Sequence, residues 1–194
     1  MKVLGIYGSP RKGGNSDLLL DAALKGAAEA GAEVKSVYCR KVTVGGCLNC
    51  GGCDKTGECV VNDDMQSIYP LLDEADAIIL SIPMFFYGAP AQAKAVVDRC
   101  QARWSKRMLA KTKEQRKSYD SGRGYLIGVG ATKGENLFVG VELMAKYFYD
   151  ALDMTYEGGL LLRGLEGKGA VSDHPETLKQ AHELGRKIAS RRLS

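Results

Sequence analysis

No apolar run in this sequence reaches the ~18 residues of a membrane span; the nearest, residues 77–91, is interrupted by Pro83 and Pro90. The segment MKVLGIYGSPRKGG is not built as a secretory leader, because its apolar stretch is short and Arg11 and Lys12 follow it. These absences set the expectation of a cytoplasmic protein without membrane contact. Aromatics make up only 7% of the chain and are not interleaved with a basic face, so no nucleic-acid partner is expected. The two histidines, His174 and His182, read as surface groups in or near a final helix. Ser9 lacks a G-x-S-x-G elbow and any nearby base, which removes it as a nucleophile. Internal repeats and low-complexity tracts are missing as well.

What is present is ordinary in bulk. At 194 residues, 45% hydrophobic and 26% charged, the chain suits one domain, residues 1–194, with a core that needs no staples. Charge is uneven. Seven basic residues between 106 and 123 face only Glu114 and Asp120. That segment reads as a solvated helix end and loop, or as a patch that receives a phosphorylated nucleotide or an acidic partner.

Short apolar runs alternate with helical stripes. Strands are expected at 2–7, 33–38, 77–82, 124–129 and, more weakly, 157–162. Helices are expected over 18–28, from Asn62 or Asp63 through Leu72, and over 91–104, 137–152 and 178–188. Five strand–helix repeats with apolar strands imply an α/β fold, a parallel sheet covered on both faces. Ligands of such sheets lie beyond the carboxyl ends of the strands. The loops after strands one, three and four therefore carry the search.

After strand one comes GSPRKGGNS, residues 8–16. Gly14-Asn15 stands where a triphosphate loop needs Lys-Ser/Thr, and the dinucleotide pattern G-x-G-x-x-G is not met. The parts suit one phosphate monoester instead. Ser9, Asn15 and Ser16 are donors, Arg11 is a bidentate cation, and Gly13 and Gly14 admit the backbone to a helix start. A polar turn that merely caps the helix would need neither Arg11 nor the paired glycines. After strand three, Pro83, Met84, Phe85, Phe86, Tyr87 and Gly88 offer flat apolar walls, although three aromatics there would also suit packing against a neighbour. After strand four, Ala131 and Thr132 lie in a loop small enough for a ring to lie over. Together the three loops describe a pocket for flavin mononucleotide (FMN).

The third feature is C-x2-C-x2-C-x5-C: Cys47, Cys50, Cys53 and Cys59. Disulfides rarely persist in a reducing compartment, and structural zinc takes two pairs set further apart. The compact run is closer to those that hold [4Fe–4S] clusters, with glycines at 45, 46, 51, 52 and 57 to let the backbone wrap. Zinc and an unloaded thiol loop stay open on spacing alone. Cys39 and Cys100 read as buried small residues.

GSPRKGGNS, PMFFYGAP and CLNCGGCDKTGECVVNDDM together resemble the NADPH-dependent FMN reductase superfamily, and within it the iron–sulfur flavoproteins. The resemblance runs along the whole chain and is most specific from residue 1 to about residue 98. It implies a flavodoxin-like three-layer sandwich with strand order 2-1-3-4-5, the cysteine segment 39–63 being an insertion. FMN is the implied cofactor and NAD(P)H the co-substrate, with a quinone, flavin or other small molecule as acceptor. Phosphate contacts carry over to Ser9, Arg11, Asn15 and Ser16, and ring contacts to 83–88, Ala131 and Thr132. The four cysteines become cluster ligands, with exchange of single electrons with a ferredoxin-type carrier as the alternative activity. A homodimer or homotetramer is also implied. A thiol or metal sensor built on the cysteine loop is a further reading, from another class. No side chain is assigned as acid or base, since flavins carry their own electron chemistry.

Overall fold

Strands Lys2–Tyr7 (β1), Glu33–Tyr38 (β2), Ala77–Pro83 (β3), Gly122–Gly130 (β4) and Met154–Arg163 (β5) form one parallel sheet, in the order β2-β1-β3-β4-β5. The computed structural model describes residues 1–191; the remaining three residues of the expected domain, 192–194, lie outside the described residues. Helices Asn15–Glu29 (α1) and Pro175–Ser190 (α6) cover one face, packed on Val3, Tyr7, Ile79 and Ile127. Helices Met65–Glu74 (α2), Ala91–Arg99 (α3), Gln101–Ala110 (α4) and Val139–Ala151 (α5) cover the other, over Leu4, Ile6, Ile78 and Leu80. Alternate residues of β1 thus feed two separate cores, as strict period-two burial requires. This is the expected three-layer sandwich. Among the described residues no helix is long and apolar enough to cross a membrane.

Helices α1 and α6 meet backbone to backbone. A Cβ at Gly185 would stand 1.7 Å from the Ala23 carbonyl oxygen, and one at Gly26 would stand 2.0 Å from that of His182. Only glycine allows so close an approach.

Two expectations change. The single helix over 91–104 is broken at Cys100, which ends α3 and starts α4 with φ −71° and ψ 1°. The turn leaves Arg99 buried against Asp63. It also lets Arg103 and Arg107 run inward to Asp73, Asp150 and Asp153. Ion pairs set this face, so its apolar period misleads. The second change is in the strands: β4 and β5 are longer than expected, with a register shift between Gly124 and Leu126. There Gly159 has φ 155°, and a Cβ would lie 1.8 Å from the Leu126 carbonyl oxygen.

The basic segment is largely neutralised within the chain. Lys106 pairs with Asp73, Arg107 with Asp150 and Asp153, Lys111 with Asp120 and Asp153, and Lys117 with Glu114. Asp153 immediately precedes β5, so this network gathers at the amino ends of the strands, opposite the candidate site. Its residues serve as framework, and the phosphate-receiving reading of the patch is set aside.

Candidate functional site

The loop after β1 is held from beneath. Gly8 fits because a Cβ there would meet Ile82 at 2.5 Å, and its N–H donates to the Ser81 carbonyl. Ser9 Oγ accepts from the Arg11 N–H at 3.1 Å, folding the loop on itself. The Gly13 N–H donates to Asp17, and Arg40 pairs with Asp17 at 3.0 Å while reaching the Ser9 carbonyl. Asp17 is thus charge-balanced before any ligand arrives. Among the described residues no side chain caps α1, so its first N–H groups are open at the end of the loop. An uncapped helix start beside a cation is an arrangement that suits an anion.

A cleft of about 450 Å³ opens above this loop. Ser9, Arg11, Gly14, Asn15 and Ser16 line one end, and Pro83, Met84, Phe85 and Ala131 line the other. The structure therefore brings most of the expected flavin residues into one cavity.

Asn15 is there with a different task. Its Nδ2 donates to the carbonyls of Gly167 (2.9 Å) and Leu165 (3.4 Å), and its Oδ1 accepts from the Val171 N–H (3.1 Å). The amide is engaged by the loop after β5, an arrangement in which it braces the cleft and has its donors turned to those carbonyls. That loop was not anticipated. Leu165, Glu166, Gly167 and Lys168 form a further wall of the cleft, and the run Gly164, Gly167, Gly169 around Lys168 was the available signal.

Phe86, Tyr87, Gly88 and Thr132 do not line the cleft. Phe85 and Gly88 exchange backbone hydrogen bonds across a two-residue turn, which forces Phe86 and Tyr87 to φ 49° and 60°. Such turns favour Asn-Gly, and bulky residues there are strained by roughly 1–2 kcal/mol each. Phe86 is fully exposed, and the Tyr87 hydroxyl lies against Gly134. Close by, Val139, Leu143 and Tyr147 form an exposed stripe along α5 at helical spacing.

The cysteine segment follows a short helical turn at Cys39–Lys41 and folds against the α3–α4 junction. Cys47, Cys50, Cys53 and Cys59 all line one small concavity of about 40 Å³, together with Arg99. Left-handed turns at Asn49, Gly51 and Gly57 bring them round. Arg99 staples the neck of the loop, donating to the Gly45 carbonyl, the Val61 carbonyl and the Asp63 carboxylate. Burial works to lower the Arg99 pKa, but Asp63 and the neighbouring Cys59 outweigh it and keep the guanidinium charged. Its Nε is buried without a hydrogen-bond partner among the described residues. Burial pushes the thiols of Cys39 and Cys100 up to about 12, so both are inert core residues as expected. Among the described residues no group of three or more His, Cys, Asp or Glu side chains is placed to hold a metal ion. The concavity and the cleft share no lining residue within one chain.

The family model for NADPH-dependent FMN reductase matches residues 1–135. An iron–sulfur flavoprotein of Archaeoglobus fulgidus is 44% identical over 99 residues, which are 51% of this chain and 45% of that one. One from Methanosarcina thermophila is 43% identical over 99 residues, 51% and 52% of the two chains. The chain thus spans about half the length of the curated relatives it matches. A Bacillus subtilis protein described as an NAD(P)H-dependent, FMN-containing oxidoreductase aligns over 95% of this chain and 96% of its own, at 24% identity. In fold, the chain resembles the NAD(P)H:quinone oxidoreductase of Methanothermobacter marburgensis, with TM-score 0.70 and 17% identity, over 99% of this chain and 98% of the other. With most of its length matched and its cleft where the fold places a ligand, this chain belongs to the NADPH-dependent FMN reductase family.

Proposed function

We propose that the chain is an FMN-dependent oxidoreductase that takes electrons from NAD(P)H or a reduced carrier and passes them to a quinone, a flavin or another small acceptor. The observation that carries this reading is the cleft, with an uncapped helix start and Arg11 at one end and Pro83–Phe85 with Ala131 at the other. FMN would supply the electron chemistry, by hydride or single electrons. The chain would bind the phosphate through Arg11 and the α1 N–H groups, with the Ser9 hydroxyl turning from the Arg11 carbonyl it now bonds to donate as well, and would flank the ring with apolar walls. Arg11→Ala removes a charge-assisted hydrogen bond, and FMN affinity should fall roughly ten- to a hundred-fold. Riboflavin, which lacks the phosphate, should be indifferent in the same titration. Equal losses for both ligands would defeat the assignment.

A second reading, an iron–sulfur flavoprotein that exchanges single electrons with a ferredoxin-type carrier, is favoured by the four thiols on one concavity. The residues fit such a group in kind and number. A [4Fe–4S] core takes one terminal thiolate per iron, so its ligands surround it and need not converge on a point. Anaerobic reduction by NADPH, compared with reduction by reduced ferredoxin, separates the two activities, and a colourless protein would favour the sensor reading instead. The proposed setting is cytoplasmic. The proposed assembly is a homodimer or homotetramer, supported by the exposed Val139–Leu143–Tyr147 stripe beside Phe86 and Tyr87. Sedimentation should then show no monomer at micromolar concentration, and Leu143→Glu should release it. A monomeric parent chain would refute the assembly.

A further inference from the structure

Arg99 is 1% exposed and lies at the four-cysteine concavity. Three of its contacts, to Gly45, Val61 and Asp63, close the neck of the loop, and a purely structural staple would need nothing more. Yet among the described residues Nε is left buried and unbonded, a state that proteins rarely tolerate because an unsatisfied donor forfeits its hydration. Asp63 cannot take it up. That carboxylate already accepts from Arg99 Nη1 and from the N–H groups of Gly45 and Met65. The nearby Arg103 is balanced by Asp73 and Glu58 and stacks over Tyr69 at 4.0 Å, so it is committed elsewhere.

We propose that Arg99 is the charge partner of an anionic iron–sulfur group in this concavity, its Nε–H donating to a sulfur of Cys59 or of the cluster core. The inference rests on the second reading above. A cluster with four thiolate ligands is a net anion and becomes more negative on reduction. A buried cation and a hydrogen bond to sulfur both favour the reduced form and raise the reduction potential. Arg99 therefore does two things: it shuts the loop and sets its potential.

The test uses the full chain, prepared anaerobically and reconstituted with ferrous iron and sulfide, as parent, Arg99→Gln and Arg99→Lys. FMN content reports whether each variant is folded, because the flavin cleft uses other residues. The cluster potential, read by spectroelectrochemical titration, should drop most in Arg99→Gln, which loses both charge and donor, and by less in Arg99→Lys, which keeps the charge and loses the Nε–H. For Arg99→Gln the reduced-to-oxidised ratio at the parent's midpoint should fall at least tenfold, which is about 59 mV for a one-electron couple. If Arg99→Gln does not load iron, Arg99→Lys, which keeps a cation for Asp63, decides alone. A loaded lysine variant with the parent's potential overturns the proposal while leaving the cluster reading intact. A parent chain that takes up no iron defeats the cluster reading itself, and the role of Arg99 falls with it.

Discussion

Gly185→Ala should destabilise the chain, and Gly185→Leu should leave it largely unfolded at ordinary temperature. In most helix interiors glycine to alanine gains close to 1 kcal/mol. Here the sign reverses, because the new carbon would stand 1.7 Å from the Ala23 carbonyl oxygen and 2.9 Å from the Ala27 nitrogen. Those are backbone atoms of α1, and no side-chain rotation can relieve them. Helix α6 must lift off α1, exposing Leu19, Ala23, Ala181 and Ile188. Overpacking of flexible side chains typically costs about 1–3 kcal/mol; a backbone clash should reach at least the upper end, a large share of a total stability of roughly 5–15 kcal/mol. Urea unfolding reads the effect. If the alanine variant is more stable than the parent, the helix contact is not as close as described.

Asn15→Ala should cost about 3 kcal/mol and should weaken FMN and riboflavin binding alike. Three backbone groups, the carbonyls of Leu165 and Gly167 and the N–H of Val171, lose the amide that holds them across the first loop. Each buried group left unpaired forfeits about 1–3 kcal/mol, part of which water recovers as the loop loosens. The wall of Leu165–Lys168 then no longer closes the cleft, so both flavins suffer. Were Asn15 a phosphate ligand, FMN alone would lose affinity, the pattern expected of Arg11→Ala. Parallel titrations of both ligands therefore separate a brace from a ligand.

Asn15 also shows where reading the sequence ends. Its residue type and its place before a helix point correctly to the cleft, because loops after parallel strands gather there by topology. Its task depends on partners more than 150 residues away, and no local pattern carries that. The loop after β1 is legible because glycines, a cation and a helix start are all local. Buried arginines defeat pattern reading for a related reason. Arg99 and Arg103 look like the wet side of one long helix, yet carboxylates from other elements draw them inward and break it at Cys100. The basic run 106–123 looks like free charge until Asp73, Asp150 and Asp153 arrive from elsewhere in the chain. The aromatic loop after β3 lines the cleft as far as Phe85. Beyond it, a tight turn in an unfavourable backbone region redirects Phe86 and Tyr87.

The register shift at Gly159 matters for how this protein behaves in a crowded solution. Strand β5 has only one neighbour in the sheet, so its other side presents unpaired backbone groups that another chain could extend. At ten residues it is the longest strand, and Leu160, Leu161 and Leu162 make it sticky. A straight strand of that kind would invite copies to polymerise edge to edge. The irregularity at Gly158 and Gly159 bends its hydrogen-bonding line partway along, so no second strand can follow its full length. At the opposite border, β2 places exposed Glu33 with Lys35 beside it, and charge does there what curvature does at β5.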